Sequence, residues 1–169
     1  MKTVNNCEGE YGKYIMQELK LPPFHATPKA RADAEARGQK PVHWMDNNNM
    51  PGSIQINSSW YFTEDREYQL GPTALSKWQP HVHDVDEIVC FYGSDPDNRF
   101  ELNAEIEMVI GDEHHILTKS SMIYLPAGVY HSRPLINRID KPVFHFSLVL
   151  GSDYSFTAAD GSTFEEEDR

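Results

Sequence analysis

Apolar positions in this chain follow two rhythms. Near the start, Tyr11, Tyr14, Ile15 and Leu19 recur at helical spacing, and Pro22-Pro23 would stop that helix. A second short helix is expected to begin at Thr27-Pro28, fill Ala30 to Arg37 and end at Gly38. From His43 to Met50 the chain is polar and rich in asparagine, and Pro51-Gly52 signals a turn, so this stretch reads as a connection. The period then changes to two. Ser53 to Phe62 has β character, with Trp60 and Phe62 on one face and Tyr61 on the other, which leaves open whether it joins a barrel or pairs with another subunit. Glu87 to Tyr92 is rich in β-branched and aromatic residues and stops at Gly93, and Asp95-Pro96-Asp97-Asn98 forms a loop. Ala104 to Ile110 and His114 to Thr118, joined through Gly111-Asp112-Glu113, make a hairpin. Ser121 to Leu125 is a strand, Pro126-Ala127-Gly128 a turn, and Val129-Tyr130-His131 opens the next strand. Val143 to Leu150 is a late strand, and the acidic end from Thr163 to Arg169 is expected to fray.

The chemistry concentrates in His81-Val82-His83-Asp84-Val85-Asp86-Glu87. On a strand His81 and His83 leave the same face, so both rings can grip one ion. Glu87 shares their parity, but on a straight strand it would lie roughly 13 Å beyond His83. Asp84 and Asp86 favour turns, so the chain is expected to bend between the two. His131 returns after another turn and completes a set of three imidazoles and one carboxylate.

At this point the sequence resembles the cupin superfamily. The first cupin motif, H-x-H-x(3,4)-E followed by glycine, is met by His81, His83 and Glu87, and the second, P-x-G-x-x-H, by Pro126, Gly128 and His131. Leu75 and Ser120 stand where the motifs open with glycine, Gly93 comes one residue early, and Asn137 lies two residues late; none of these is a ligand position. The resemblance covers about Ser53 to Leu150. It implies an all-β, cupin-type jelly-roll β-barrel, here carrying short N-terminal helices, with residues 1–52 as an extension, 53–150 as the barrel and 151–169 as an acidic tail. It further implies that His81, His83, Glu87 and His131 point into the barrel and bind one divalent ion, Fe, Mn, Ni or Zn, among which these ligands do not choose. Cupins include oxygenases, lyases, isomerases, hydrolases and non-catalytic binding proteins. The expectation placed first is a metal-dependent enzyme acting on a small organic substrate, with oxygenase-type oxidoreduction ahead of non-redox chemistry and of simple binding. Similar single-domain cupins commonly form homodimers, and Ile88, Cys90 and Tyr92 are expected on a covered outer sheet face.

Three further residues are candidates for the reaction. His145 shares a face with Val143, Ser147 and Val149, opposite Phe144, Phe146, Leu148 and Leu150. If the aromatic face fills the barrel, His145 points away; if the mixed face does, it is placed for proton transfer. Tyr130 precedes a ligand, and Arg133 shares the parity of His131 and could clamp a substrate carboxylate or merely sit at the mouth. His114 and His115 are adjacent, face opposite ways on a strand and suit the surface.

Composition narrows the partners. The 169 residues, without internal repeats, fit one domain with room for a core. A net charge of −11 removes the electrostatic drive toward nucleic acid or an anionic membrane. No run of 18 uncharged apolar residues occurs, so a cytoplasmic protein is expected, with Cys7 and Cys90 as reduced thiols.

Overall fold

The computed structural model describes residues 3, 7–18, 20, 28, 32, 38–62, 80–151, 155–158 and 163–165. Among the described residues, eleven strands follow a 3-10 turn at Gly12–Tyr14: β1 (Gln39–Met45), β2 (Gln55–Tyr61), β3 (His81–Val82), β4 (Glu87–Gly93), β5 (Glu101–Ile110), β6 (Glu113–Lys119), β7 (Ser121–Leu125), β8 (Leu135–Ile139), β9 (Val143–Val149), β10 (Ser155–Ala158) and β11 (Thr163–Glu165). They form a five-stranded sheet ordered β1-β2-β9-β4-β7 and two three-stranded sheets, β6-β5-β8 and β11-β10-β3. Every pairing is antiparallel. This is the all-β jelly-roll arrangement that the motifs imply.

Strand β5 shows why the sheets pack as they do. Its residues alternate, and Leu102, Ala104, Ile106 and Met108 are buried while the residues between them are not. These side chains meet Val89 and Phe91 of β4, Leu125 of β7, Ile136 and Ile139 of β8 and Val143 of β9 in one core. Each large apolar group so enclosed contributes about 1.5–3 kcal/mol relative to exposure. Gly93 closes β4 where the chain passes the start of β5: a Cβ there would lie 2.1 Å from the Glu101 carbonyl oxygen, so only glycine fits.

Several expectations change. Between Tyr11 and Glu18 the chain forms a three-residue 3-10 turn rather than a helix. Tyr11, Tyr14 and Ile15 are exposed, and a short amphipathic segment without a surface to dock on does not hold a helix. Of the second expected helix, from Thr27-Pro28 to Gly38, only Pro28, Ala32 and Gly38 are among the described residues, and Pro28 and Ala32 are helical. His43 to Met45 belong to β1, which pairs with β2. The polar connection is therefore confined to the turn after Met45, where Asp46 Oδ1 accepts the backbone N–H groups of Asn48 and Asn49. Strands also lie outside Ser53 to Leu150: β1 precedes it, and β10 follows it to pair with β3. Segment Ser53 to Phe62 joins the barrel sheet, with β2 lying between β1 and β9. Cys7 and Cys90 are both free thiols, the first exposed and the second buried.

Candidate metal centre

The expected bend is present. The chain leaves β3 at Val82, bends at Asp84 and Val85 and enters β4 at Glu87. It brings Glu87 Oε2 to 3.4 Å from His83 Nε2, where a straight strand would hold the residues far apart. Asp86 fastens the corner: its carboxylate accepts the Tyr124 hydroxyl at 2.6 Å and the Ala127 backbone N–H at 2.9 Å. The Gly128 N–H donates to the His83 carbonyl oxygen at 2.9 Å. Gly128 has φ +82°, the left-handed region that glycine enters without steric cost. The two motif segments are thus tied to each other before any ion is considered.

His131 arrives by a different device. It lies in an isolated antiparallel bridge with His81, each N–H donating to the other's carbonyl oxygen at 2.9 and 3.0 Å, and does not open a long strand. Directly opposed residues of an antiparallel pair project to the same side, so the two rings come together with centroids 4.4 Å apart. All four side chains are buried, and one donor atom from each of His81, His83, Glu87 and His131 lies within 4.8 Å of every other.

The chemistry of these donors fits a cation. His83 Nδ1 faces the Ser155 carbonyl oxygen at 2.6 Å, and His131 Nδ1 faces the Val129 carbonyl oxygen at 3.0 Å. A carbonyl only accepts, so in each ring Nδ1 carries the hydrogen, and a neutral imidazole then turns a lone pair inward from Nε2. Glu87 Oε2 stands 2.9 Å from His131 Nε2, yet the two are not aligned as a hydrogen bond, and both atoms are buried without one. Lone pairs packed together in a dry interior repel unless positive charge lies among them. The same demand appears in the titration of the Glu87 carboxyl. Burial alone would raise it, but in the absence of an ion, protons on His131 and His83 outweigh burial and hold it down at about 2. Burial likewise opposes a proton on His83, and the neighbouring Glu87 carboxylate reverses the balance and raises it. These four residues would hold a divalent ion.

Of the remaining candidates, only His145 is buried. The mixed face of β9 is the buried one, so His145 points inward, while Phe144 and Phe146 are only half-buried on the other face. His145 pairs across the sheet with Phe91, four residues from Glu87 along β4, a separation of roughly 13 Å. There it stacks on Phe91 and places Nδ1 3.0 Å from the Cys90 carbonyl oxygen. Tyr130 is 43% exposed. Arg133 is exposed as well, because the chain after His131 is irregular until β8 and parity no longer applies. His114 and His115 lie on the surface beside Glu107 and Glu113.

Sequence reasoning missed three contributors: Asp86 as a latch to Tyr124, the Ser155 carbonyl that orients His83, and Phe156, whose ring lies 5.2 Å from that of His81. Only Asp86 had a local signal, its place in the bend. Ser155 and Phe156 reach the site because β10 pairs with β3, which no periodicity discloses.

No family model matches the chain, and no curated protein does. Solved structures do. Its structural neighbours include cupins. A sugar phosphate isomerase from a cupin superfamily, from Silicibacter pomeroyi, is 13% identical and matches over 79% of this chain and 80% of that one, with a TM-score of 0.42. A Klebsiella pneumoniae protein with a double-stranded β-helix domain is 14% identical over 71% and 84%, at 0.42. A recombinant oxalate oxidase in complex with glycolate is 12% identical over 97% and 72%, at 0.46.

Proposed function

We propose that this chain is a metal-dependent enzyme of the cupin type acting on a small organic substrate. The observation that carries the proposal is the convergence of four buried metal-ligating side chains, one donor atom of each lying within 4.8 Å of every other. His81, His83, Glu87 and His131 hold the ion; Asp86, Ser155 and Val129 hold the ligand-bearing segments and rings in position. A divalent ion there would supply a Lewis-acid or redox centre inside an enclosed barrel. Oxygenase-type oxidoreduction stands first, since a redox ion preferring six ligands keeps two positions beyond these four. His145 enters only as a buried, neutral imidazole further along the interior. Tyr130, for proton transfer, and Arg133, for a substrate carboxylate, enter as exposed groups beside the ligand His131.

Elemental analysis of protein purified without added metal tests the proposal. We expect about one ion per chain in the wild type and loss of most of it in both His81→Ala and His131→Ala. Equal metal content in all three proteins would overturn the assignment. Turnover that stops under nitrogen supports the oxygenase subtype, whereas turnover unaffected by removing dioxygen assigns non-redox chemistry.

A further inference from the structure

Gln55 is 0% exposed, and neither its Nε2 nor its Oε1 makes a hydrogen bond. Its backbone is satisfied, the N–H donating to the Gly151 carbonyl oxygen at 3.0 Å, so the isolation belongs to the side chain alone. A carboxamide carries two donor hydrogens and an acceptor oxygen, and burying it with none of them answered opposes folding. Two neighbouring polar groups are partnered, Asn57 donating to Ser147 Oγ at 2.7 Å and Gln39 donating to Ser59 Oγ at 3.0 Å, while the Ser53 hydroxyl, two residues before Gln55, is buried without a partner as well.

The sheet register places Gln55 relative to the donor cluster. Gln55 lies opposite Val149, and Val149 lies opposite Glu87 on its other side. Directly opposed residues project to the same side, so these three share one row across the interior. Two inter-strand steps separate the Cα atoms of Gln55 and Glu87 by roughly 10 Å, a gap that two long side chains leaning inward largely close. Only the apolar Val149 stands between them in the row, and none of the four donors comes from β2 or β9. Gln55 is therefore the first hydrogen-bonding group in the Glu87 row on the side where the cluster has no ligand.

We infer that Gln55 recognises the small molecule held at the donor cluster, and that this molecule presents an acceptor and a donor side by side, as a 2-hydroxy carboxylate does. The inference rests on the metal-dependent reading above. One carboxylate oxygen of such a molecule accepts from Gln55 Nε2, its hydroxyl donates to Gln55 Oε1, and its second carboxylate oxygen is left for the ion. An acid without the hydroxyl answers only half of the amide. Among the described residues no Lys or Arg is buried, so the carboxylate has the ion as its counter-charge and the amide as its reader. Complete enclosure of Gln55 favours a ligand of few atoms.

The test uses the cobalt(II)-loaded protein, whose visible absorption responds to ligands entering the ion's coordination sphere, titrated with lactate and with propionate, which lacks the hydroxyl. Cobalt content is measured first. Wild type is expected to bind lactate about tenfold more tightly than propionate, the scale of one buried hydrogen bond. Gln55→Met, similar in length and without the amide, is expected to keep one cobalt per chain and lose that preference. Gln55→Asn, which withdraws the amide by one methylene, is expected to reduce it and decides the matter if Gln55→Met does not fold. Equal affinities in the wild type, no binding of either acid, or a preference intact in the folded variants overturns the inference while leaving the metal site standing. Absence of cobalt from the wild type would bring down the metal reading itself, and this inference with it.

Discussion

At the scale of single residues, burial and partnering separate groups of the same type. His83 and His145 are both buried imidazoles, each with Nδ1 toward a backbone carbonyl, yet they titrate in opposite directions. His83 has the Glu87 carboxylate at 3.4 Å, whereas His145 is enclosed by Phe91 and Tyr61, and burial lowers it to about 4 against the pull of the Cys90 carbonyl and of Glu87. The unfolded chain binds a proton on this imidazole near pH 6.5, and the folded chain does so only near 4. The contribution of His145 to stability is thus complete above about pH 6.5 and is lost as pH falls toward 4, by roughly 3 kcal/mol. His83, being raised, slopes the other way, so comparison with His145→Phe isolates the effect. Urea unfolding of the metal-free protein should show a smaller loss between pH 6.5 and 4.5 in the variant, and parallel profiles would contradict this account. The sequence showed that His145 had two alternative faces. Only burial of Val143, Ser147 and Val149 alongside it chose between them.

At the scale of elements, the site depends on how short segments are fastened. The corner at Asp84 and Val85 follows from ligand geometry and from aspartates that favour turns, and it was legible for that reason. Its anchorage was not, since Tyr124 and Ala127 lie on β7 and on the turn after it, remote in sequence from Asp86. Replacing Asp86 with Ala removes both contacts, so Glu87 and His131 are no longer tied through the same latch. Metal affinity is expected to fall about 10- to 100-fold, the range for lost outer partners of ligands, and Tyr124→Phe should cost less because the Ala127 bond survives. Competition with a chromogenic chelator measures both, and affinities equal to wild type would show that the latch does not position the ligands. Strand β9 misleads for a related reason. Its strongest apolar run, Phe144, Phe146 and Leu148, faces away from the interior, where Trp60 packs on Phe144, while the lumen side carries His145 and Ser147. Amphipathic logic assigns the apolar face to the core; a barrel that keeps polar groups inside reverses it.

At the scale of the whole molecule, one apolar core reaches the donor cluster, since the core residue Leu125 pairs directly with Glu87. Ile106 is fully buried in that core, on a strand paired with both β6 and β8. Ile106→Ala is expected to cost about 2–5 kcal/mol and to lower the thermal midpoint in a single transition, because the sheets share the core and unfold together. Two separated calorimetric transitions would show that they do not. Among the described residues no helix is long and apolar enough to cross a membrane. The amino-acid sequence by itself determined the all-β character, the β5–β6 hairpin, the bend before Glu87 and the identity of the four donors, since strand parity, turn chemistry and motif spacing are local properties. Tertiary structure alone decided which face of β9 is interior, that β1 and β10 extend the barrel, that Arg133 turns to solvent, and that Gln55 stands in the row of Glu87. These outcomes depend on pairing between strands far apart in the chain, and a strand's own residues do not encode which neighbour will cover each of its faces.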